Sequence, residues 1–174
     1  PMDAASRKKF VSTFLPGIVL FVLAYTLLTT FRELRINFTA DVWKTLGYGE
    51  SPEIYTQTEV PVSVIVLVII ASLMIIKNNH MALMINHVII LLGMMTVGVA
   101  TFLFQQKIID APAWMVCIGT GLYLGYVPFN SVFFDRLIAA FHYVGTVGFI
   151  MYIADSFGYL GSVGVLFFKE FSYA

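Results

Sequence analysis

The chain has 174 residues, 59% of them hydrophobic and only 11% charged, with ten Lys and Arg set against ten Asp and Glu. A soluble domain carries about 25% charged residues, so this chain lacks the polar surface to stand in water, and its mean hydropathy of +0.88 agrees. Zero net charge argues against nucleic acid or a polyanion as a partner, and the single Cys117 rules out an intrachain disulfide and a thiolate metal cluster. The composition predicts an all-α, polytopic bundle of transmembrane helices with the lipid bilayer as its solvent.

A helix rises about 1.5 Å per residue, so about 20 apolar residues cross a hydrocarbon core about 30 Å thick. Apolar runs predict five spans, near 10–31, 60–76, 81–104, 114–134 and 137–168, in one transmembrane domain covering 1–174. Arg7-Lys8-Lys9 precedes the first. Between the first and second, the segment Arg32–Glu59 holds Arg32, Glu33, Arg35, Asp41, Lys44, Glu50, Glu53 and Glu59. It reads as a polar continuation of the first helix to about Leu46, then a loop through Pro52. The second span is short and stands nearly upright or borrows polar flanks. Lys77–His80 is a tight polar turn, and Gln105–Pro112 a short loop whose Pro112 suits the start of the fourth helix. Asn130–Arg136 reads as another short turn, with Asn130 capping the following helix and Asp135-Arg136 anchoring the junction. The fifth run is too long for one crossing, so either Leu137–His142 lies at the interface or the far end projects beyond the bilayer. The chain as a whole reads as a piece of a longer protein.

With the N-terminus cytoplasmic, Arg7, Lys8, Lys9, Lys77 and Arg136 face inward, and Arg32, Arg35, Lys44, Lys107 and Lys169 face outward. The basic count is a tie. The compact cluster beside the first span favours an inward N-terminus. Glycines recur at helical spacing: Gly121 with Gly125, Gly145 with Gly148, and Gly158, Gly161 and Gly164. Such stripes let helices approach closely in lipid, either as fixed packing or as sliding surfaces.

Ionisable groups at membrane depth are costly, so each needs a reason. Arg32 and Arg35 share a helix face if the first helix continues, and Tyr25 and Thr29 lie on the same stripe. A file of hydroxyls leading to two guanidiniums suits an anionic substrate, because guanidinium grips carboxylate or phosphate with paired hydrogen bonds. The competing reading is snorkelling to the interface with local pairing to Glu33 or Asp41. Asp155 lies within an apolar run, where an isolated carboxylate takes up a proton or finds a cation. Arg32 and Arg35 lie toward the same side, so Asp155 is a candidate gate, coupling group or structural bridge. His80 and His87 share a face, and His142 stands apart. With no neighbouring carboxylate, the pair reads as ordinary packing rather than haem or metal ligation. No phosphate-binding loop, nucleophile elbow or paired metal-binding histidine motif is present, so the expectation is no enzyme and no cofactor.

Three blocks stand out: Tyr25–Phe38 with Asp41-Val42-Trp43, Gly121–Asn130 followed by Phe133–Leu137, and Gly148–Gly164. Together they resemble the second half of a bacterial membrane-protein family that is similar to the major facilitator superfamily. The resemblance implies that the five spans correspond to helices seven to eleven of twelve. The partners would then be a first half and a final helix of the same protein, and the location the bacterial inner membrane. The Tyr25–Arg35 stretch is also similar to the opening helix of organophosphate antiporters, which implies that Tyr25, Arg32 and Arg35 face a central cavity. The pattern departs from theirs at Ile36-Asn37-Phe38. The expected function is a secondary transporter of a small phosphorylated or carboxylated anion. The alternative is a non-transporting structural or assembly subunit.

Overall fold

The structure, a computed structural model, describes residues 3–141 and 147–172. His142 and Gly145 lie outside the described residues. Everything regular in the described residues is helical: α1 (Ala4–Thr45), α2 (Glu53–Ile75), α3 (Asn79–Gln105), α4 (Ala111–Pro128), a π-turn (Phe129–Phe133) leading into α5 (Phe134–Phe141), and α6 (Val147–Ser172). Five helical stretches are long and apolar enough to cross a membrane, with α4, the π-turn and the start of α5 counting as one. The chain is an all-α, multi-pass membrane protein.

Helix ends follow from local chemistry. The Asp3 carboxylate accepts the Ser6 amide at 2.8 Å, Asn78 accepts that of Met81 at 3.1 Å, and Asp110 accepts that of Ala113 at 2.9 Å. Each satisfies one of the amides that a helix start leaves without an intrahelical partner. The capping bond to Ser6 and the nearby Arg7 charge hold the Asp3 carboxyl below its usual value of 3.8. Pro112 sits in the first turn of α4, as expected. α1 ends at Thr45 with Leu46 as its C-cap, and Gly47 takes a positive φ of 87° in the turn that follows. The polar continuation of the first helix therefore forms as the sequence predicts.

Two elements differ from expectation. α2 starts at Glu53, seven residues before Val60. Its early polar groups find partners: the buried Thr58 hydroxyl donates to the Ile54 carbonyl at 2.8 Å, and Glu59 meets Arg35. At 23 residues, or about 35 Å, α2 borrows its polar flank, the second of the two expectations for this span, and has no need to stand upright; only the loop through Glu59 is replaced by helix. The second difference is Asn130–Arg136, which forms no turn. The chain stays helical through it by widening into a π-turn. Pro128 has no N–H to give and its ring crowds the preceding turn, and a π-turn inside a helix relieves such a conflict. Asn130 caps nothing; its Nδ2 donates to the Tyr126 hydroxyl at 3.2 Å. Arg136 Nη1 donates to Asn79 Oδ1 at 2.7 Å, tying α5 to the start of α3, while Asp135 is exposed. Leu137 consequently belongs to the fourth crossing, and among the described residues the helix of the fifth runs from Val147.

The packing order follows the glycines. α3 and α4 touch backbone to backbone: a Cβ on Gly121 would lie 2.5 Å from the Gly93 carbonyl oxygen, and one on Gly93 2.6 Å from that of Gly121. α6 lies along α1, seated on Gly158 and Gly161, whereas Gly164 and Gly17 face open space. One buried cluster joins Phe10, Tyr25, Leu28, Phe129 and Phe133 in the body of the bundle. A second, around Trp43, Ile54, Ala111 and Met115, closes the end where α1 overruns the others. Trp114 stacks on Phe104 beside it, with ring centroids 4.5 Å apart. Large apolar side chains elsewhere point outward, among them Leu20, Leu67, Leu91 and Phe168, as lipid-facing surfaces require.

Candidate functional site

The polar stripe of α1 packs along two helices, and its last arginine reaches a third, α2. α4 runs antiparallel to it and comes close because Gly119 and Gly125 lack side chains: a Cβ on Gly125 would lie 2.7 Å from Leu28 Cδ2, and one on Gly119 2.7 Å from Arg35 Nη2. α6 runs parallel to it, and a Cβ on Gly158 would lie 2.9 Å from Tyr25 Cε1 and 3.3 Å from Thr29 Oγ1. Residues 25, 29, 32 and 35 of α1 therefore look onto α4 and α6, and not onto lipid.

At its inner end the stripe holds a carboxylate. The Tyr25 hydroxyl donates to Asp155 Oδ1 at 2.6 Å, and Tyr25 is 2% exposed. The sequence allowed Asp155 an arginine partner; its hydrogen bond here comes from Tyr25. Next along, the Tyr25 and Tyr126 rings lie 5.8 Å apart, and the Arg32 guanidinium lies 4.1 Å over the face of Tyr126. Arg32 also pairs with its neighbour Glu33, and 22% of its side chain remains exposed. Arg35, one turn further, is closed off. Its side chain is 7% exposed and forks onto Glu59 of α2, Nη2 to Oε1 at 2.5 Å and Nη1 to Oε2 at 3.4 Å. Tyr123 lies beneath it at 5.8 Å. Thr29 is buried beside Gly158. Its hydroxyl, that of Thr26 and the Nε atoms of both arginines have no hydrogen-bond partner.

The structure thus brings all four predicted substrate-binding residues and Asp155 into one file, but it divides the arginines. Arg35 is a buried strut between α1 and α2. Arg32 stays partly exposed: Tyr126 covers one face of its guanidinium and Glu33 takes Nη2, while the rest of the fork keeps an edge that an anion can reach. Sequence reasoning did not find Glu59, Tyr123 and Tyr126. The two tyrosines carried a signal, since they sit three apart among glycines in the Gly121–Asn130 block. Glu59 carried none, because it looked like the end of a loop.

His80 and His87 stay apart from this file. His87 Nδ1 donates to the Leu83 carbonyl at 2.7 Å, and the ring leans edge-on against Phe133. Among the described residues, no three His, Cys, Asp or Glu side chains converge as metal ligands would. On the long end of α1, Lys169 of α6 donates to the Asn37 carbonyl at 2.5 Å and lies 3.9 Å from Asp41.

The model of one protein family, described as a family of unknown function (DUF5690), matches residues 1–174. No curated protein and no solved structure matches the chain.

Proposed function

We propose, from the premise that the chain belongs to the DUF5690 family of unknown function, that it forms part of a secondary transporter for a small organic anion, phosphorylated or carboxylated. One observation carries the reading: Arg32 is held over Tyr126 on an apolar crossing, with its sequence neighbour Glu33 as its ion-pair partner and a side chain still 22% exposed. A cation placed in that way has a cost, and a passing anion offsets it. In this reading Arg32 grips the cargo, Thr29 and Tyr25 line the approach, Arg35 braces α1 against α2, and Asp155, which accepts the Tyr25 hydroxyl, is the coupling or gating group. The facilitator-like plan supplies the rest. Five crossings here belong to one half, which rocks against another half of the same protein around a site between them. The membrane is the bacterial inner membrane and the N-terminus is cytoplasmic, on the strength of Arg7-Lys8-Lys9.

A structural subunit is the second reading, and the buried Arg35–Glu59 fork favours it. The two separate in one experiment on the full-length protein. A stabilisation screen against phosphorylated and carboxylated metabolites first selects an anion, whose uptake is then followed in proteoliposomes. Under the transport reading, Arg32→Gln lowers uptake by about 100-fold, the loss of about 2.7 kcal/mol expected of a charge-assisted contact, with the unfolding midpoint retained. Uptake unchanged by Arg32→Gln rejects the clamp. No stabilisation and no uptake of any anion by the wild type leaves the structural role in its place.

A further inference from the structure

A cleft of about 590 Å³ runs between α1 and α3 on the opposite side of Tyr25 from the arginines. Its walls are Phe10, Phe14 and Phe21 of α1 and Ile90 of α3, and its floor is the π-turn, where Phe129 and Phe133 stack 4.7 Å apart. His87 is the one polar side chain among its lining residues. The floor is flat because Phe21 stacks on both rings, at 5.2 and 5.8 Å. One flank is open to lipid, where Leu20 is 70% exposed and Gly17 meets nothing within 4 Å.

The dimensions select the occupant. The α1 wall runs from Phe10 to Ala24, fifteen residues and about 21 Å. Helix seats in this bundle are made of glycine, whereas five phenylalanines line this cleft. An apolar lining of that length suits one hydrocarbon chain that enters from one face of the bilayer. Charge fixes which face. Arg7 lies on the same helical stripe as Phe10, Phe14 and Phe21, one turn beyond the cleft, and is itself placed 5.5 Å over Phe149 of α6. Lys8 and Lys9 are exposed beside it, and Arg136 stands at the same end on α5. The acids there are Asp3 and Asp135, which leaves that end of the bundle cationic.

We propose that this cleft is a lipid site that takes one acyl chain of an anionic phospholipid, with the headgroup phosphate on Arg7, Lys8 and Lys9. It rests on the membrane reading alone and not on transport. The test uses the full-length protein, purified in detergent and incubated with equal amounts of phosphatidylglycerol and phosphatidylcholine of identical acyl chains. Native mass spectrometry counts what is retained. We expect at least a tenfold preference for phosphatidylglycerol, reduced to near parity in Arg7→Gln/Lys8→Gln/Lys9→Gln. Gly17→Phe, which places a ring in open space, should lower retention of both lipids about tenfold. A second measurement needs no variant: phosphatidylglycerol with a photoreactive group at the chain end should label Phe21, Phe129 and Phe133 ahead of outward residues such as Leu67 and Leu91. Labelling spread evenly over the lipid-facing surface overturns the proposal. So does crosslinking of the cleft to another segment of the protein, which would mean that a helix fills it. Equal retention of the two phospholipids, or retention of glycerol phosphate in place of the lipid, overturns the assignment of the headgroup.

Discussion

Replacing Gly121 by alanine tests the packing argument most directly. The new Cβ would stand 2.5 Å from the Gly93 carbonyl oxygen and 2.7 Å from Val97 Cγ2. The first of these is backbone and cannot rotate away. Ordinary contact begins near 3.5 Å, so α3 and α4 must part by about 1 Å along their longest shared seam. A gap of 0.5–1 Å forfeits about a quarter to a half of each dispersion contact it opens, and forced overpacking of this kind costs about 1–3 kcal/mol. Gly93→Ala should cost a similar amount, since its Cβ would meet the Gly121 oxygen at 2.6 Å. Once the seam has opened for one methyl it admits the other, so the double variant should fall short of the sum by about 0.5 kcal/mol or more. Gly98→Ala is the control: nothing lies within 4 Å of its Cβ, and the gain in helix propensity makes it neutral or stabilising by up to about 1 kcal/mol. Unfolding in mixed micelles or by steric trapping in bicelles reads all four proteins. If Gly121→Ala unfolds at the same midpoint as Gly98→Ala, or the two costs add in full, the helices are not in backbone contact and the reasoning fails.

Other consequences are open to measurement. Glu59→Gln strands the Arg35 charge inside the bundle and should destabilise by about 2–3 kcal/mol, below the value for a fully buried pair because Glu59 is 37% exposed. Adding Arg35→Met should recover most of that loss, and a double variant no more stable than Glu59→Gln alone would contradict the strut. At the other end of α1, the Ser6 hydroxyl first and the Ser6 amide with it hold the Asp3 carboxyl below 3.8. The folded state therefore favours its ionised form: the cap is intact above pH 3.8 and is lost as pH falls through the lower folded value. Ser6 amide exchange, corrected for its intrinsic pH dependence, should lose protection in that range, and Asp3→Asn should abolish the pH step. A step that persists in Asp3→Asn would assign it to another group.

Much of the architecture is written in the chain. The apolar runs mark every crossing, and the charge density after Phe31 correctly reads as helix continuing to Leu46, because Arg35, Asn37 and Asp41 find partners on α2 and α6. The reading fails where polarity has a tertiary cause. Asn130, Asp135 and Arg136 look like a turn, yet Tyr126 and Asn79 satisfy two of them while the backbone stays helical. Pro128 gave no means of telling a helix end from a π-turn, since both relieve the same clash. The site is legible on one side only. The stripe Tyr25, Thr29, Arg32, Arg35 follows from helical spacing. That Tyr126 lies under Arg32, and that Asp155 takes a hydrogen bond from Tyr25, depends on the relative heights of α1, α4 and α6. No local pattern records those heights.

The extra length of α1 has a mechanical consequence. Its far end is fastened to three neighbours, through Glu59 of α2, the pocket around Trp43 at the start of α4, and Lys169 of α6. Its near end borders a cleft. From Trp43 to Phe10 is an arm of about 50 Å, so a pivot of only 5° at the fastened end carries Phe10 sideways by about 4 Å. Tyr25 stands about 27 Å along that arm, so the same pivot would move its hydroxyl about 2 Å against Asp155, and that one hydrogen bond at mid-arm resists any tilt that would widen or shut the cleft.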